Sequence, residues 1–497
     1  DSAYGMCTLY TTDPPPTAGL TDARVIALSE YDGRVDTYLP GPPNSFKKGT
    51  PATRVPVTVH VDREADAVAL DVAGRVLLLQ PGQWSDFIQV SWSLLPAHAF
   101  DISGVVRFYL RSIDPELEIY ASPVNIDPLQ PVTPVSLPEE ASEELADRGQ
   151  GGIGLYYTQG MPEDVNALKN RLIDEPEFMA QSKLVHTEGV RMLEYALDHY
   201  MAKPEGGLIF FYFSGVDLCS HMMWRVADEA HPNHDPELAA QDSSEWSERP
   251  RSTWKEVIID LYLQMDPVLG LLRERLGDDT ALIVMSDHGF APYGREFNLN
   301  TWLWQEGYLV LKDGVDPATQ RVDIFTVADQ VDWSRTRAYG MGFNGLYLNL
   351  AGRELDDPDT DADESGIVQP GAEADALLAE IKARLEAVRD PGRDGRQVVV
   401  RADLASEVYR GERVPEAPDI VVGYNTDYGN SDEASLGRVW PVVLRDNMGG
   451  TFNGHHLMVP DVVPGTLMSN RPVAPGAHAL EDVTVEVLAQ YGICLLY

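Results

Sequence analysis

The chain has 497 residues, of which 44% are hydrophobic and 9% aromatic, enough to bury a sizeable core and to build two or three domains. Its 38 basic and 78 acidic residues give a formal charge of −40, which argues against nucleic acid as a partner, and no apolar run is long enough to span a bilayer. The three cysteines, Cys7, Cys219 and Cys494, are too few and too scattered for a disulfide framework. They leave the compartment open, with periplasmic or extracellular placement the favoured expectation.

Residues 1–12 read as a connecting segment, and 13–137 as a β-rich, sandwich-like insert domain. Its strand candidates alternate in polarity, among them Arg54–Val61, Ala67–Val72, Phe87–Trp92 and Gly104–Leu110. Within it, Asp32-Gly33 between Arg24-Val25 and Arg34–Tyr38 predicts a hairpin with a tight turn. The proline-rich stretch Ile126–Pro134 leads out of this region. Helical patterns at 164–173, 176–202, 252–276 and 372–388 then alternate with strand patterns, which assigns 138–497 to an α/β domain. The acidic run from Glu354 to Glu364 lacks the glycine and terminal glutamate of a calcium loop and reads as a solvated loop.

Two short motifs carry most of the chemical information. Phe210-Phe211-Tyr212-Phe213 runs on to Asp217 and His221, and Leu282-Ile283-Val284-Met285 runs on to Asp287, His288 and Gly289. Each apolar run is short enough to be a buried parallel strand, and an open α/β sheet presents ligands at the carboxyl ends of such strands. Asp217 and His221 share one face if a helical turn follows the strand, whereas Asp287 and His288 can share an ion only if the chain turns sharply at Gly289. A third candidate is Asn453-Gly454-His455-His456. Oxygen and nitrogen donors without thiolates suit zinc or manganese rather than a structural cysteine site.

In this order, the Asp-x-x-x-His and Ser-Asp-His-Gly motifs followed by a late Gly-x-His resemble the type I phosphodiesterase/nucleotide pyrophosphatase branch of the alkaline phosphatase superfamily. The resemblance extends through Ser85-Asp86, Arg107-Phe108-Tyr109, Tyr156–Gly160, Phe297–Asn300 and Ala417-Pro418-Asp419. It implies a layered α/β/α domain with two divalent ions, zinc with manganese or iron as alternatives. Asp217, His221 and His456 would hold one ion, and Asp287 with His288 the other. It further implies a strand ending in Asp-Gly and a Thr or Ser nucleophile, neither of which is recognisable here. The expectation is therefore that these residues are a C-terminal portion, with the nucleophile on a companion segment or chain.

In the resembled mechanism the ion at Asp287 and His288 activates the nucleophile to form a phospho-enzyme, and the other ion activates the water that hydrolyses it. The expected substrate is a phosphorylated small molecule, a phosphodiester or phosphomonoester. A noncatalytic scaffold or binding protein of the same fold is the alternative, and sulfatase or phosphomutase chemistry is open within the superfamily. His455 reads as a substrate contact, an alternative ligand or a surface residue. Cys219 and Arg225 read as packing and a structural ion pair, no role is expected of His231 and His234, and Asn298 and Asn300 read as pocket or cap residues. A carbohydrate-binding role for Trp84, Trp92 and Tyr109 is weaker than their reading as core.

Overall fold

The computed structural model describes residues 5–493 apart from 18, 45, 47–48, 50–51, 96–98, 204–205, 278, 327–329, 355–364, 450–451 and 473–478. The acidic run after Glu354 and Cys494 lie outside the described residues. The chain divides into two units, one of Asp1–Met223 with Ala240–Arg275 and one of Trp224–Ala239 with Leu276–Tyr497. With 30% helix and 26% strand, the content is that of a mixed α/β protein.

Among the described residues, the first unit begins with twelve strands. They are β1 (Cys7–Thr11), β2 (Ala23–Ala27), β3 (Arg34–Pro40), β4 (Arg54–Asp62), β5 (Ala67–Val72), β6 (Arg75–Leu79), β7 (Gln83–Trp84), β8 (Ile88–Ser93), β9 (Asp101–Val106), β10 (Phe108–Ser112), β11 (Glu118–Ala121) and β12 (Asn125–Ile126). They form sheets ordered β2-β1-β11-β10-β7, β3-β4-β5-β6 and β12-β9-β8. Strict alternation in β4 and β5 puts Val55, Val57, Val59, Val68, Leu70 and Val72 on one face. That face meets Leu110, Ile119, Val90 and Trp92 from the other sheets in one apolar core. Trp92 and Tyr109 are buried core residues, while half-buried Trp84 packs on Tyr109 and Tyr120.

The Asp32-Gly33 turn forms as expected. Both residues have positive φ, and Tyr31 and Arg34 exchange backbone hydrogen bonds of 2.9 and 3.0 Å. The hairpin does not, because β2 pairs in parallel with β1 while β3 pairs with β4 along seven residues. The longer ladder on each side outweighs pairing across the turn.

Helices follow as α1 (Glu140–Ala146), α2 (Val165–Lys169), α3 (Glu175–Met201) and α4 (Gly215–Ala227). The α3 start is fixed by a capping box, Asp174 accepting from the Glu177 N–H while the Glu177 carboxylate accepts from the Asp174 N–H. The apolar run before α4 departs from the expectation of a buried parallel strand. No strand is assigned over 208–213, and Leu208, Phe210 and Tyr212 are 63%, 77% and 60% exposed. Exposed and half-buried residues nevertheless alternate along 208–213 as in an extended chain, and on the half-buried side Phe213 packs on His186 and comes within 3.0 Å of where a β-carbon on Gly189 in α3 would be. One face is covered and the other is open.

In the second unit, the strand Ile283–Met285 is half-buried and pairs antiparallel with Leu467–Ser469, again unlike the parallel arrangement expected. A short apolar run specifies burial but not which neighbour supplies the hydrogen bonds. The main core lies around an antiparallel sheet of Ala338–Met341, Gly345–Leu348, Ile420–Tyr424 and Val399–Leu404. The helix Ala372–Glu386 presents Leu377, Ile381 and Leu385 to it at helical spacing.

Candidate metal centre

The 3.6-residue period of α4 stacks Asp217 and His221 one turn apart, with Oδ1 of Asp217 3.7 Å from Nε2 of His221. His221 is buried and Asp217 is partly open. The two belong to an Asp/His cluster able to hold a metal ion. Between them Cys219 points into the core, where its thiol donates to Ser182 Oγ at 3.0 Å and burial holds its pKa well above the ordinary value. It is a packing residue.

Beneath the first turn of α4 lies a buried acidic pair that the motifs did not reveal. Glu163 Oε1 sits 3.2 Å from where a β-carbon on Gly215 would be, and Glu163 Oε2 is 3.5 Å from Ser214 Oγ. Burial, with the neighbouring Asp164 charge, pushes the Glu163 carboxyl up to about 7. Burial does the same to Asp164, to about 7, although it accepts a 2.6 Å hydrogen bond from the Tyr120 hydroxyl. Glu163-Asp164 sits in an unremarkable polar turn of sequence, and only the fold encloses it.

In the second unit the structure brings together two motifs far apart in sequence. The rings of His288 and His456 stack with centroids 3.5 Å apart and planes 9° from parallel. His288 Nδ1 lies 2.9 Å from the Gly289 carbonyl, which can only accept, so Nδ1 carries the proton and Nε2 keeps its lone pair. That Nε2 lies 3.5 Å from Oδ2 of the exposed Asp287, so an oxygen and a nitrogen donor face a common point. Gly289 contributes by close approach and not by a left-handed turn, since a β-carbon there would meet the Pro464 carbonyl oxygen at 2.5 Å.

Aromatic rings brace His456. Phe290 packs against it with centroids 5.8 Å apart and stacks on Trp224, the α4 residue whose side chain leaves no room for a β-carbon at Gly454. The Arg225 N–H donates to Asn453 Oδ1 at 2.7 Å, which ties the last turn of α4 to the loop that precedes His456. His455 is buried, accepts from the Leu457 N–H at Nδ1 and packs edge-on against Tyr293, so it is no surface residue.

The remaining candidates are structural. Arg225 is buried and pairs with Asp235 at 3.5 Å, and His231 uses both ring nitrogens, on the Tyr293 carbonyl and the Asn233 N–H. His234 Nδ1 lies 2.7 Å from the Arg225 carbonyl. Asn298 precedes the helix Leu299–Gln305 without capping it, its amide donating instead to the Val442 carbonyl, while buried Asn300 ties that helix to Gly340 and Ala434.

Residues 141–428 match the model of the type I phosphodiesterase / nucleotide pyrophosphatase family. This is a family of hydrolases acting on phosphodiester and pyrophosphate bonds, whose members are typically metal-dependent. Searches of curated proteins and of solved structures gave no match.

Proposed function

The chain belongs to the type I phosphodiesterase/nucleotide pyrophosphatase family of the alkaline phosphatase superfamily, and on that premise we propose that it hydrolyses phosphate esters through a two-metal site. The observation that carries the reading is the stacked His288–His456 pair with Asp287 beside it, because it joins two separate ligand motifs at one place in the second unit.

Asp287 and His288 would hold one ion. Asp217, His221 and His456 would hold the other. The fit rests on the donor chemistry: a carboxylate and an imidazole one helical turn apart on α4, a tautomer of His288 that frees Nε2, and a Trp224–Phe290 wall that orients His456. Bound divalent ions would neutralise phosphate charge and lower the pKa of water, the chemistry that such sites supply. The protein positions the donors through the Gly289 carbonyl at His288 Nδ1 and the Phe290 ring against His456. Because protons compete for the same lone pairs, metal affinity should fall in acid.

The nucleophile is proposed to come from a further strand-bearing segment, which would complete an alkaline-phosphatase-like layered α/β/α domain beside the β-rich region of 13–137. The extended run 208–213, apolar on its open face and covered by α3 on the other, supports such a neighbour. The substrate on this reading is a phosphorylated small molecule with a diester or pyrophosphate linkage.

The test is turnover of bis(4-nitrophenyl) phosphate by the complete protein with zinc or manganese, after chelation, and in Asp287→Ala. Activity that chelation and Asp287→Ala both abolish supports the proposal. Metal binding without hydrolysis by the complete protein would move the reading to a noncatalytic binding protein of the same fold.

A further inference from the structure

The first unit contains a cavity of about 500 Å³, and none of its lining residues is a metal-ligand candidate. Such a volume lies in the range of small-molecule sites. Four arginines line it, Arg75, Arg107, Arg148 and Arg191, in a chain where acidic residues outnumber basic ones 78 to 38. The carboxylates at its wall are Asp86, Asp147 and Glu188. Glu188 is committed to Arg107 at 2.8 Å and to the Tyr157 N–H at 3.1 Å, Asp147 accepts the Gly149 N–H, and Asp86 is exposed. Among the described residues Arg75, Arg148 and Arg191 form no ion pair.

A second observation is independent of charge. Arg107 is 5% exposed and its guanidinium lies 3.8 Å over the Phe87 ring, yet its Nε has no hydrogen-bond partner. The Trp84 indole nitrogen at the same cavity is also buried and unpartnered. Buried donors left without acceptors are uncommon in folded proteins, and here two of them stand at one cavity with flat rings beside them.

We propose that this cavity is a binding site for an aryl oxyanion, a small ligand with a phosphonate, phosphate or carboxylate group on a planar apolar body. Arg148 and Arg191 attract the anion, the Arg107 Nε and Trp84 N–H groups donate to its oxygens, and Phe87 and Trp84 flank the ring. The site does not depend on the hydrolase reading, since it needs neither metal nor nucleophile.

The experiment is calorimetric titration of the full chain with phenylphosphonate, which cannot be hydrolysed as an ester, after chelation has emptied the metal sites. Saturable one-to-one binding is expected, weakened about tenfold or more in Arg191→Ala, whose side chain is exposed on α3. Trp84→Phe, which keeps the aromatic wall and removes the donor, should weaken binding while the melting temperature confirms folding. Unchanged affinity in both folded variants overturns the site. Loss of binding in Asp217→Ala alone would assign the anion to the metal side and also overturn it. Inorganic phosphate binding as tightly as phenylphosphonate would refute the planar body.

Discussion

In β4 and β5 every second residue is apolar, whereas the run from Leu208 to Phe213 is apolar at every position. The first pattern ends as a paired meander with one buried face. The second ends extended, with one face on α3 and the other bearing Leu208, Phe210 and Tyr212 in the open. Alternation tells a strand which face to bury and so fixes its register. Continuous apolarity states only that two neighbours are wanted, and it leaves their identity to the rest of the fold.

The sharpest way to break this comparison is to remove chemistry from the second region and packing from the first. Asp287→Ala in the complete protein is expected to lower hydrolysis of an aryl phosphate diester by about 100-fold or more, because even outer-shell partners of a metal are worth 10–100-fold. Its melting temperature should barely move, since Asp287 is exposed. Unaltered turnover with full metal content would remove Asp287 from the site.

Leu110→Ala should do the reverse. Leu110 is fully buried among the sheets of the first unit, so truncation leaves a cavity and costs about 2–5 kcal/mol. Denaturant unfolding would measure that loss, while turnover per folded molecule should stay near wild type. A large fall in activity per folded molecule would mean that the β-rich region takes part in the chemistry.

What was legible in advance follows the same division. The helices at 164–173, 176–202, 252–276 and 372–388 correspond to Val165–Lys169, Glu175–Met201, Val257–Leu276 and Ala372–Glu386, because apolar periodicity and caps are local. The ligand motifs were legible as Asp and His behind apolar runs. The pairing partners of those runs were not, and neither were the Trp224–Phe290 brace, the Glu163-Asp164 pair or the arginine-lined cavity. Each of these is made by residues that mean nothing until distant segments meet.

The buried pair offers a pH test. Asp164 has an ordinary carboxyl value of 3.8 when unfolded and about 7 when folded, through burial. Between those values the unfolded chain has released a proton that the folded chain still holds, so this group lowers stability as pH rises through that window. Asp164→Asn removes the titration while keeping an acceptor for the Tyr120 hydroxyl. At pH 8 the variant should gain on the order of 1–3 kcal/mol over wild type, and near pH 4 the gain should vanish. Parallel stability curves for the two proteins from pH 4 to 8 would show that Asp164 is ionised throughout.

The smallest effect belongs to the Asp32-Gly33 turn, where the predicted turn formed although the hairpin did not. Gly33 has a φ of 71°, and a β-carbon on it would come within 3.1 Å of the Val61 carbonyl oxygen, while its own carbonyl accepts the Val61 N–H at 2.7 Å. Gly33→Ala therefore adds backbone strain and a tight contact at the mouth of the β3–β4 ladder, for about 1 kcal/mol. Asp32, also at positive φ, tolerates glycine, so Asp32→Gly should be close to neutral. Thermal melts of the two variants decide the matter: equal stability would mean that the turn follows passively from strands that have already found separate sheets, and a loss confined to Gly33→Ala would show that the turn itself helps to set where β3 begins.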